Sequence, residues 1–560
     1  MTTGTAEHSN LRSGDEHISI PAWWREIVQR HGDRELIRYL GKSHSFHDID
    51  RRSAALARGL LAQGAGKGTR IGLLMPNGPD WVVSWLAIER IGAIAVTLST
   101  FFAARELAYA LKHADVAILL AADQYLRHDY AARIAEALPD ITTRLGEKPL
   151  TMASVPFLRG VWLTGKGPAW SRGTLAELEQ QGAASTVYSA ALLASVEANV
   201  SPADLAVLIY TSGSTSDPKG VMHVQGVIVS KTNFMAEGNG IIPSCTEPGD
   251  RGIVTGPFFW IGGFLSLAGC MVIGATVICE DEHTPKALLE AIRREKATHV
   301  NGSEAALRAL ADSPDFRPGD MDRLKPQNSN QFGFYNRDPE VTRDRFALSI
   351  GMTETFGPHS GLNNRGDLLP KHAVGSLGPI LDGMQYRIVD PETRQPVPTG
   401  TPGDLCVRGP WLMDGFYKRL GADIFDADGF YPTGDQCHLD ENGYLYFHGR
   451  LGGMIKTAGA NVSPEEVENV IAVMDDVLEV AVFGVNDAKL DQMVVAVVAI
   501  AADSTLDEEG LKGRLRGQLS SFKVPKRIFF MDFEELPRTP SKKIRKPALA
   551  EIIKPLLAKG

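Results

Sequence analysis

The chain predicts an α/β protein with a large N-terminal domain of two doubly wound subdomains plus a small β-rich subdomain, and a smaller α+β C-terminal lid domain. Three observations lead there. Between Pro21 and Asp123, short apolar runs alternate with helix-like stretches, the order that builds a parallel sheet with helices on both faces. After Gly375 the pattern changes to short strand-like pieces separated by turn dipeptides. At 560 residues the chain is longer than one hydrophobic core fills, so at least two domains are required.

Taken in order, residues 1–20 read as a flexible arm, since Met1 to His17 is polar and lacks the apolar core of a signal peptide. Glu35–Tyr39, Arg70–Met75, Ala93–Leu98 and Val116–Ala121 then read as strands, with helices at Ile49–Leu61, Trp81–Ile91 and Ala103–Lys112 between them. Gly64-Ala-Gly-Lys-Gly68-Thr69 imitates a dinucleotide fingerprint, but it lacks the final glycine and precedes a strand, so it reads as a tight turn. Residues 133–200 show no sharp motif and are read as the join to a second sheet, which begins with the apolar strand Leu205–Ile209. Gly252 to Cys279 holds no charged residue and is long enough to span a bilayer. Six glycines and Pro257 interrupt it and Gly274-Ala275 splits it, so the reading is a buried helix followed by a strand, with no integral membrane segment.

Thr284–Glu295, Ala297–Val300 and Ser303–Ala311 continue the alternation as helix, strand and helix, whereas 313–346 is polar and without period. Tyr386–Val389, Asp404–Arg408 and Tyr444–Gly449, with turns at Pro391-Glu, Pro402-Gly and Asn442-Gly443, make the β-rich subdomain. Leu451 to Gly453 marks the boundary between an N-terminal domain (21–450) and a C-terminal one (451–560). There Ser463-Pro-Glu-Glu466 is a capped helix start, leading to an apolar face of Val467, Val470, Ile471 and Met474. Strands at Val477–Val485, Met493–Ile500 and Arg527–Phe533 and a helix at Leu506–Leu519 complete the lid.

A formal net charge of -9 argues against nucleic acid as the main partner. The five scattered cysteines, without a C-x-x-C pair, read as reduced thiols of a cytoplasmic protein with no zinc site.

The stretch that carries chemistry is Tyr210-Thr-Ser-Gly-Ser-Thr-Ser-Asp-Pro-Lys-Gly220, directly after the apolar strand. Glycine lets backbone N–H groups turn inward, the hydroxyls add donors and Lys219 adds positive charge, so the loop suits the phosphates of a nucleoside triphosphate. An ordinary P-loop is excluded, because counting from Gly213 places Pro218 where glycine is required and Gly220 where Ser or Thr is required. Taken alone, such a composition also fits a solvated linker.

The loop resembles the phosphate-binding loop of the adenylate-forming ligases, the superfamily of acyl-CoA synthetases, luciferases and peptide-synthetase adenylation domains. Four further motifs follow in that family's order: Gly351-Met-Thr-Glu354, Tyr431-Pro-Thr-Gly-Asp435, Gly449-Arg450 with Ile455-Lys-Thr-Ala-Gly459, and Pro537-Arg-Thr-Pro-Ser-Lys-Lys543-Ile. The resemblance implies that Thr211, Ser212, Gly213, Ser214, Thr215 and Lys219 hold ATP phosphates, that Thr353 donates to the α-phosphate and that Glu354 binds Mg2+. It further implies that Asp435 and Arg450 grip the ribose, that Lys543 bridges the carboxylate and the α-phosphate, and that Gly459 walls a tunnel for the pantetheine of coenzyme A. Gly452 falls at the hinge. Phe259, Trp260, Gly262 and Gly263 resemble the motif beside the acyl pocket, and no cation stands there to pair an amino acid's second charge, which favours an apolar carboxylic acid. The implied reaction is ATP-dependent formation of an acyl-adenylate and then of an acyl-CoA, by a protein that could associate as a homodimer. A carrier-protein-loading ligase and a degenerate, non-catalytic nucleotide-binding homologue are the alternatives. The departures on which the last rests are Ser216, Trp260, Ile350, Gly452 and Lys542, where the family favours glycine, histidine, a stacking tyrosine, Asp or Lys, and glycine. The family's adenine-lining turn has no counterpart in 313–346. Loss of the stacking ring is expected to weaken nucleotide binding by ~1 kcal/mol.

Overall fold

A computed structural model describes residues 18–211, 218–237, 245, 247–301, 309–321, 324–325, 349–362, 368–450, 453–501, 504–538 and 544–557. Two sheets dominate the N-terminal part. The larger has eight strands in the order Gly415–Phe416, Lys219–Val224, Leu205–Thr211, Ile94–Thr97, Arg70–Leu74, Ile118–Ala121, Gly160–Leu163, Gly173–Thr174. The smaller has five, in the order His299–Asn301, Arg251–Val254, Thr276–Cys279, Glu35–Tyr39, Lys42–Ser45. The central pairings are parallel, and helices such as Phe46–Ala62, Pro79–Arg90 and Ile261–Ile273 pack against one another in a shared core.

This arrangement corrects the expectation of one sheet completed before the next begins. Leu205–Thr211 is not the first strand of a second sheet; it pairs in parallel with Ile94–Thr97, with Val207 opposite Ala95. Glu35–Tyr39 in turn leaves the early strands and pairs with Thr276–Cys279, Ile37 opposite Val277. Both strands carry fully buried apolar residues, so their place is set by which sheet can cover them, and neighbourhood in sequence does not specify that. Nor is 133–200 a plain connector. It supplies the strand Gly160–Leu163, beside Ile118–Ala121, and the helices Leu175–Ala184 and Ala190–Ala198. The first of these is announced by a capping box of Thr174 and Glu177.

The uncharged stretch forms the buried helix Ile261–Ile273 and strand Thr276–Cys279, as expected, and also completes the strand Arg251–Val254. Gly274 ends the helix at φ +79, and a Cβ there would stand 2.4 Å from the His31 ring, so glycine is required twice over. Among the described residues no helix is long and apolar enough to cross a membrane. The turn at 64–69 is present, with Gly64 and Gly68 at positive φ, and the five cysteines are buried thiols. The helix expected at Ser303–Ala311 falls mostly outside the described residues.

The β-rich part is a four-stranded antiparallel sheet in the order Gln385–Val389, Gly403–Arg408, Tyr431–Leu439, Leu445–Arg450. Asp435 lies in the middle of the strand Tyr431–Leu439. From residue 453 the chain builds a separate sheet, Ala460–Val462, Ile455–Thr457, Asp491–Ile500 and Val477–Asp487, with Arg527–Phe530 parallel to Asp491–Ile500. Helix Pro464–Ala472 opens with the Ser463 hydroxyl accepting from Glu466 N–H at 3.3 Å, the cap read from sequence.

Candidate active site

The C-terminal end of Leu205–Thr211 and the start of Lys219–Val224 face each other, Thr211 opposite Lys219, and thereby fix both ends of the phosphate loop. Ser212, Gly213, Ser214, Thr215 and Ser216 lie outside the described residues. Lys219 is half-buried, with its ammonium 5.3 Å from the centre of the Phe416 ring. Burial and the neighbouring Arg419 push its pKa down, and the carboxylates of Glu354 and Glu465 oppose them.

Thr353 and Glu354 sit on a short 3-10 turn closed by a hairpin in which Gly351 pairs with Pro358 and Met352 with Gly357. A Cβ on Gly351 would lie 2.6 Å from the opposing backbone, so the motif's glycine is a packing requirement. The turn is held on two sides: His223 donates from Nε2 to the Thr353 carbonyl at 2.7 Å, and Met413 N–H donates to the Glu354 carbonyl at 2.7 Å. Burial holds the His223 pKa down at about 4, so the ring is neutral and one nitrogen carries the donated proton.

Asp435 and Arg450 occupy opposing positions on Tyr431–Leu439 and Leu445–Arg450, which puts the two expected ribose residues in register. Asp435 is buried, and its N–H donates to the Thr433 hydroxyl at 3.0 Å. Ile350, where an adenine-stacking ring was expected, packs against the N-terminal core.

The expected acyl-pocket residues lead into helix Ile261–Ile273. Trp260, Gly262 and Gly263 line a cleft of about 550 Å³, together with Thr211, Pro218, Thr255, Asn301 and Thr353. A Cβ on Gly263 would stand 2.1 Å from the Pro257 carbonyl oxygen, whereas one on Gly262 would meet nothing within 4 Å. Phe259 stands behind this wall: it is 3% exposed, and its ring packs edge-on against Phe101 and Trp260.

The opposite wall of the cleft comes from the C-terminal sheet. Strands Ile455–Thr457 and Ala460–Val462 form a hairpin whose tip, Ala458 and Gly459, has φ +48 and +83, and the tip lines the same cleft as Thr211 and Thr353. Lys543, Lys542 and Gly452 are outside the described residues. Ile544 bridges to Arg538 and packs against the C-terminal core.

Sequence reasoning missed several contributors. Phe101 and Phe522 close an aromatic seam around Trp260, with Phe522 centred 6.1 Å from each of the other two rings. Glu106, Glu466 and Lys523 form a buried ion cluster across that seam. None belongs to a motif with fixed chemistry; a Phe-Lys pair in a loop reads as surface. His223 carried no signal either, being an alternate residue of an apolar strand.

A doubly wound N-terminal domain whose strand end at Thr211 and turn at Thr353 share one cleft with a hairpin of a smaller C-terminal domain is the architecture of an adenylate-forming enzyme. Residues 24–417 match the AMP-binding enzyme family and residues 466–543 match the AMP-binding enzyme C-terminal domain; the chain belongs to this family. It is 29% identical over 545 residues to the methyl-dioxo-octahydro-indenyl-propanoyl:CoA ligase of Mycobacterium tuberculosis, covering 95% of this chain and 99% of the relative. It is also 29% identical over 509 residues to the mitochondrial medium-chain acyl-CoA ligase of Rattus norvegicus, covering 88% and 80%. Among solved structures it resembles the amide bond synthetase McbA from Marinactinospora thermotolerans, with TM-score 0.75, 26% identity and coverage of 94% and 99%.

Proposed function

We propose that the protein is an AMP-forming acid:CoA ligase acting on an apolar carboxylic acid in the cytoplasm. The observation that carries this reading is that one cleft gathers the strand end at Thr211, the turn at Thr353, the apolar opening of helix Ile261–Ile273 and the Gly459 tip. In the first half-reaction the acid's carboxylate oxygen attacks the α-phosphorus of ATP, the bond to the bridging oxygen breaks and pyrophosphate leaves. Lys219 and the loop hydroxyls hold the phosphates, Thr353 donates to the α-phosphate and Lys543 offsets charge building there, as fixed donors do for a developing anion. Asp435 and Arg450 would fix the ribose from their paired strands. Glu354 fits Mg2+, being a hard oxygen donor on the turn that also carries Thr353, and the ion would neutralise phosphate charge.

In the second half-reaction the CoA thiolate attacks the acyl carbon and AMP leaves. Gly459 lines the same cleft as Trp260 and has open space where a side chain would be, which supports passage of the pantetheine arm beside it. Trp260, Ile261 and Leu288 give the acid an apolar surface. Relatives named for indenyl-propanoyl and medium-chain acids support this class of substrate.

A panel of aliphatic and polycyclic acids tests the reading, with pyrophosphate and AMP followed with and without CoA. An apolar acid is expected to release pyrophosphate in a burst and to need CoA for steady AMP production. Pyrophosphate release with no acid would overturn the ligase assignment. AMP production that responds to a carrier protein or an amine and not to CoA would overturn the acceptor.

A further inference from the structure

Lys523 lies in the loop between helix Glu508–Arg516 and strand Arg527–Phe530, and its side chain is 3% exposed. Its ammonium is 2.6 Å from Glu106 Oε1 and 2.7 Å from Glu466 Oε1. Glu106 belongs to helix Ala104–His113 of the N-terminal domain, whereas Glu466 and Lys523 both belong to the C-terminal one. The second oxygen of Glu106 accepts from the Ser520 hydroxyl at 2.6 Å and from Ala103 N–H at 2.8 Å, so one carboxylate caps its own helix and receives two donors from the other domain. Beside this cluster Phe522 packs its ring against Phe101 and Trp260, and both Phe522 and Lys523 line the cleft that holds the Gly459 tip.

The asymmetry of the cluster carries the argument. Two carboxylates share one ammonium; burial pushes the Lys523 pKa down, but the two carboxylates outweigh it and hold it above its ordinary value. Burial raises the Glu466 carboxyl, against the pull of Lys523, and Glu466 Oε2 has no hydrogen-bond partner. A buried charge stripped of its partner is strongly unfavourable. Because Lys523 and Glu466 share a domain, a departure of that domain would leave Lys523 paired with Glu466 and return Glu106 to water. The contact can therefore break and re-form without stranding a charge.

We propose that Glu106 is the fixed half of an interdomain latch, with Lys523 and Ser520 as its moving half, that holds the Gly459 tip in the cleft for acyl transfer to CoA. This rests on the ligase reading above. Glu106, Ser520 and Lys523 are positioning residues: they act through the placement of Gly459 and form no bond to the reacting atoms.

Glu106→Gln, Ser520→Ala and Lys523→Gln test the latch from both sides of the seam, the latter two leaving the helix cap at Glu106 intact. With adenylation isolated as the first-turnover pyrophosphate burst, Glu106→Gln is expected to keep the wild-type burst. CoA-ester formation from supplied acyl-adenylate should fall about tenfold or more, the scale of a lost charge-assisted bond. The fall should appear in kcat with KM for CoA unchanged, and equally in Lys523→Gln. Limited trypsin digestion reads the same equilibrium without any reaction: cleavage after Arg450 or Lys456, at the junction, should be faster in all three variants. Wild-type transfer and wild-type cleavage rates in Glu106→Gln would overturn the latch. So would a defect confined to Lys523→Gln and expressed as a raised KM for CoA, which would mean that Lys523 contacts CoA itself. If no acid yields pyrophosphate even in the wild type, the ligase reading fails and the trypsin comparison alone decides the latch.

Discussion

His223 and Thr353 stand 130 positions apart in sequence, yet the Nε2–H of one donates to the carbonyl oxygen of the other across 2.7 Å. The bond ties the strand that leaves the phosphate loop to the turn that carries Glu354. The ends of the two segments expected to meet phosphate and Mg2+ are thus tied by one hydrogen bond.

The same histidine makes the protein acid-sensitive. Its folded pKa is depressed to about 4 from an ordinary 6.5, so the unfolded chain takes up a proton that the folded one refuses. Stability is therefore fully present above 6.5 and is lost as pH falls from 6.5 to 4, by about 3 kcal/mol over that window. His359, pushed down to about 3, acts in the same direction. Denaturant titrations at several pH values should show His223→Gln losing about 1.4 kcal/mol per pH unit of the wild-type slope; an unchanged slope would refute the assignment.

Gly262 and Gly263 are neighbours in the first turn of one helix and should respond oppositely to alanine. At Gly263 the methyl group must displace the Pro257 carbonyl, a cost of about 1–3 kcal/mol, with acid binding lost as the cleft wall moves. At Gly262 it meets open space, and the better helix former should raise stability by up to about 1 kcal/mol. Melting curves of the two single variants decide, and equal shifts would contradict the geometry.

At Gly459 the backbone, at φ +83, has room for a Cβ but strains any L-residue by about 1–2 kcal/mol. Gly459→Ala should therefore form thioester at a reduced rate, whereas Gly459→Leu puts a bulky side chain into the cleft that Gly459 shares with Trp260 and should abolish it. Both should release pyrophosphate normally on the first turnover. Thioester formation by Gly459→Leu at the wild-type rate would remove this residue from the CoA path.

Lys543→Ala is expected to lose adenylation while keeping transfer from supplied acyl-adenylate, because its charge is needed as negative charge builds on the α-phosphate. An equal loss in both half-reactions would speak against that division of labour.

For Glu354→Gln, the expectation is weakened adenylation that added Mg2+ partly restores, since one hard ligand is lost. A magnesium titration identical to that of the wild type would rule out the role.

The motifs singled out Thr353 with Glu354, Asp435 with Arg450, and Gly459; the structure places Thr353 and Gly459 on one cleft and sets Asp435 opposite Arg450. Local capping was legible in the sequence as well, as at Ser463. What escaped depends on partners far away in sequence. Nothing in Leu205–Thr211 says that it lies beside Ile94–Thr97, because a strand buried on both faces offers no pattern to match. Strand Tyr431–Leu439 buries Thr433, Asp435 and Cys437 alternately, a period of two hidden because two of those residues are polar. No motif marks Lys523, which folding brings to Glu106 from 417 positions away.

The pairing of Glu35–Tyr39 with Thr276–Cys279 has a consequence for the making of the protein. Ile37 emerges from the ribosome early, but its partner Val277 is 240 positions later. At the usual pace of synthesis the interval is on the order of ten to fifty seconds. Throughout it, Leu36 and Ile37, fully covered in the finished molecule, belong to a strand with an open edge. Nascent chains stalled or cut before residue 276 should therefore need a chaperone, and those extended past 301 should not.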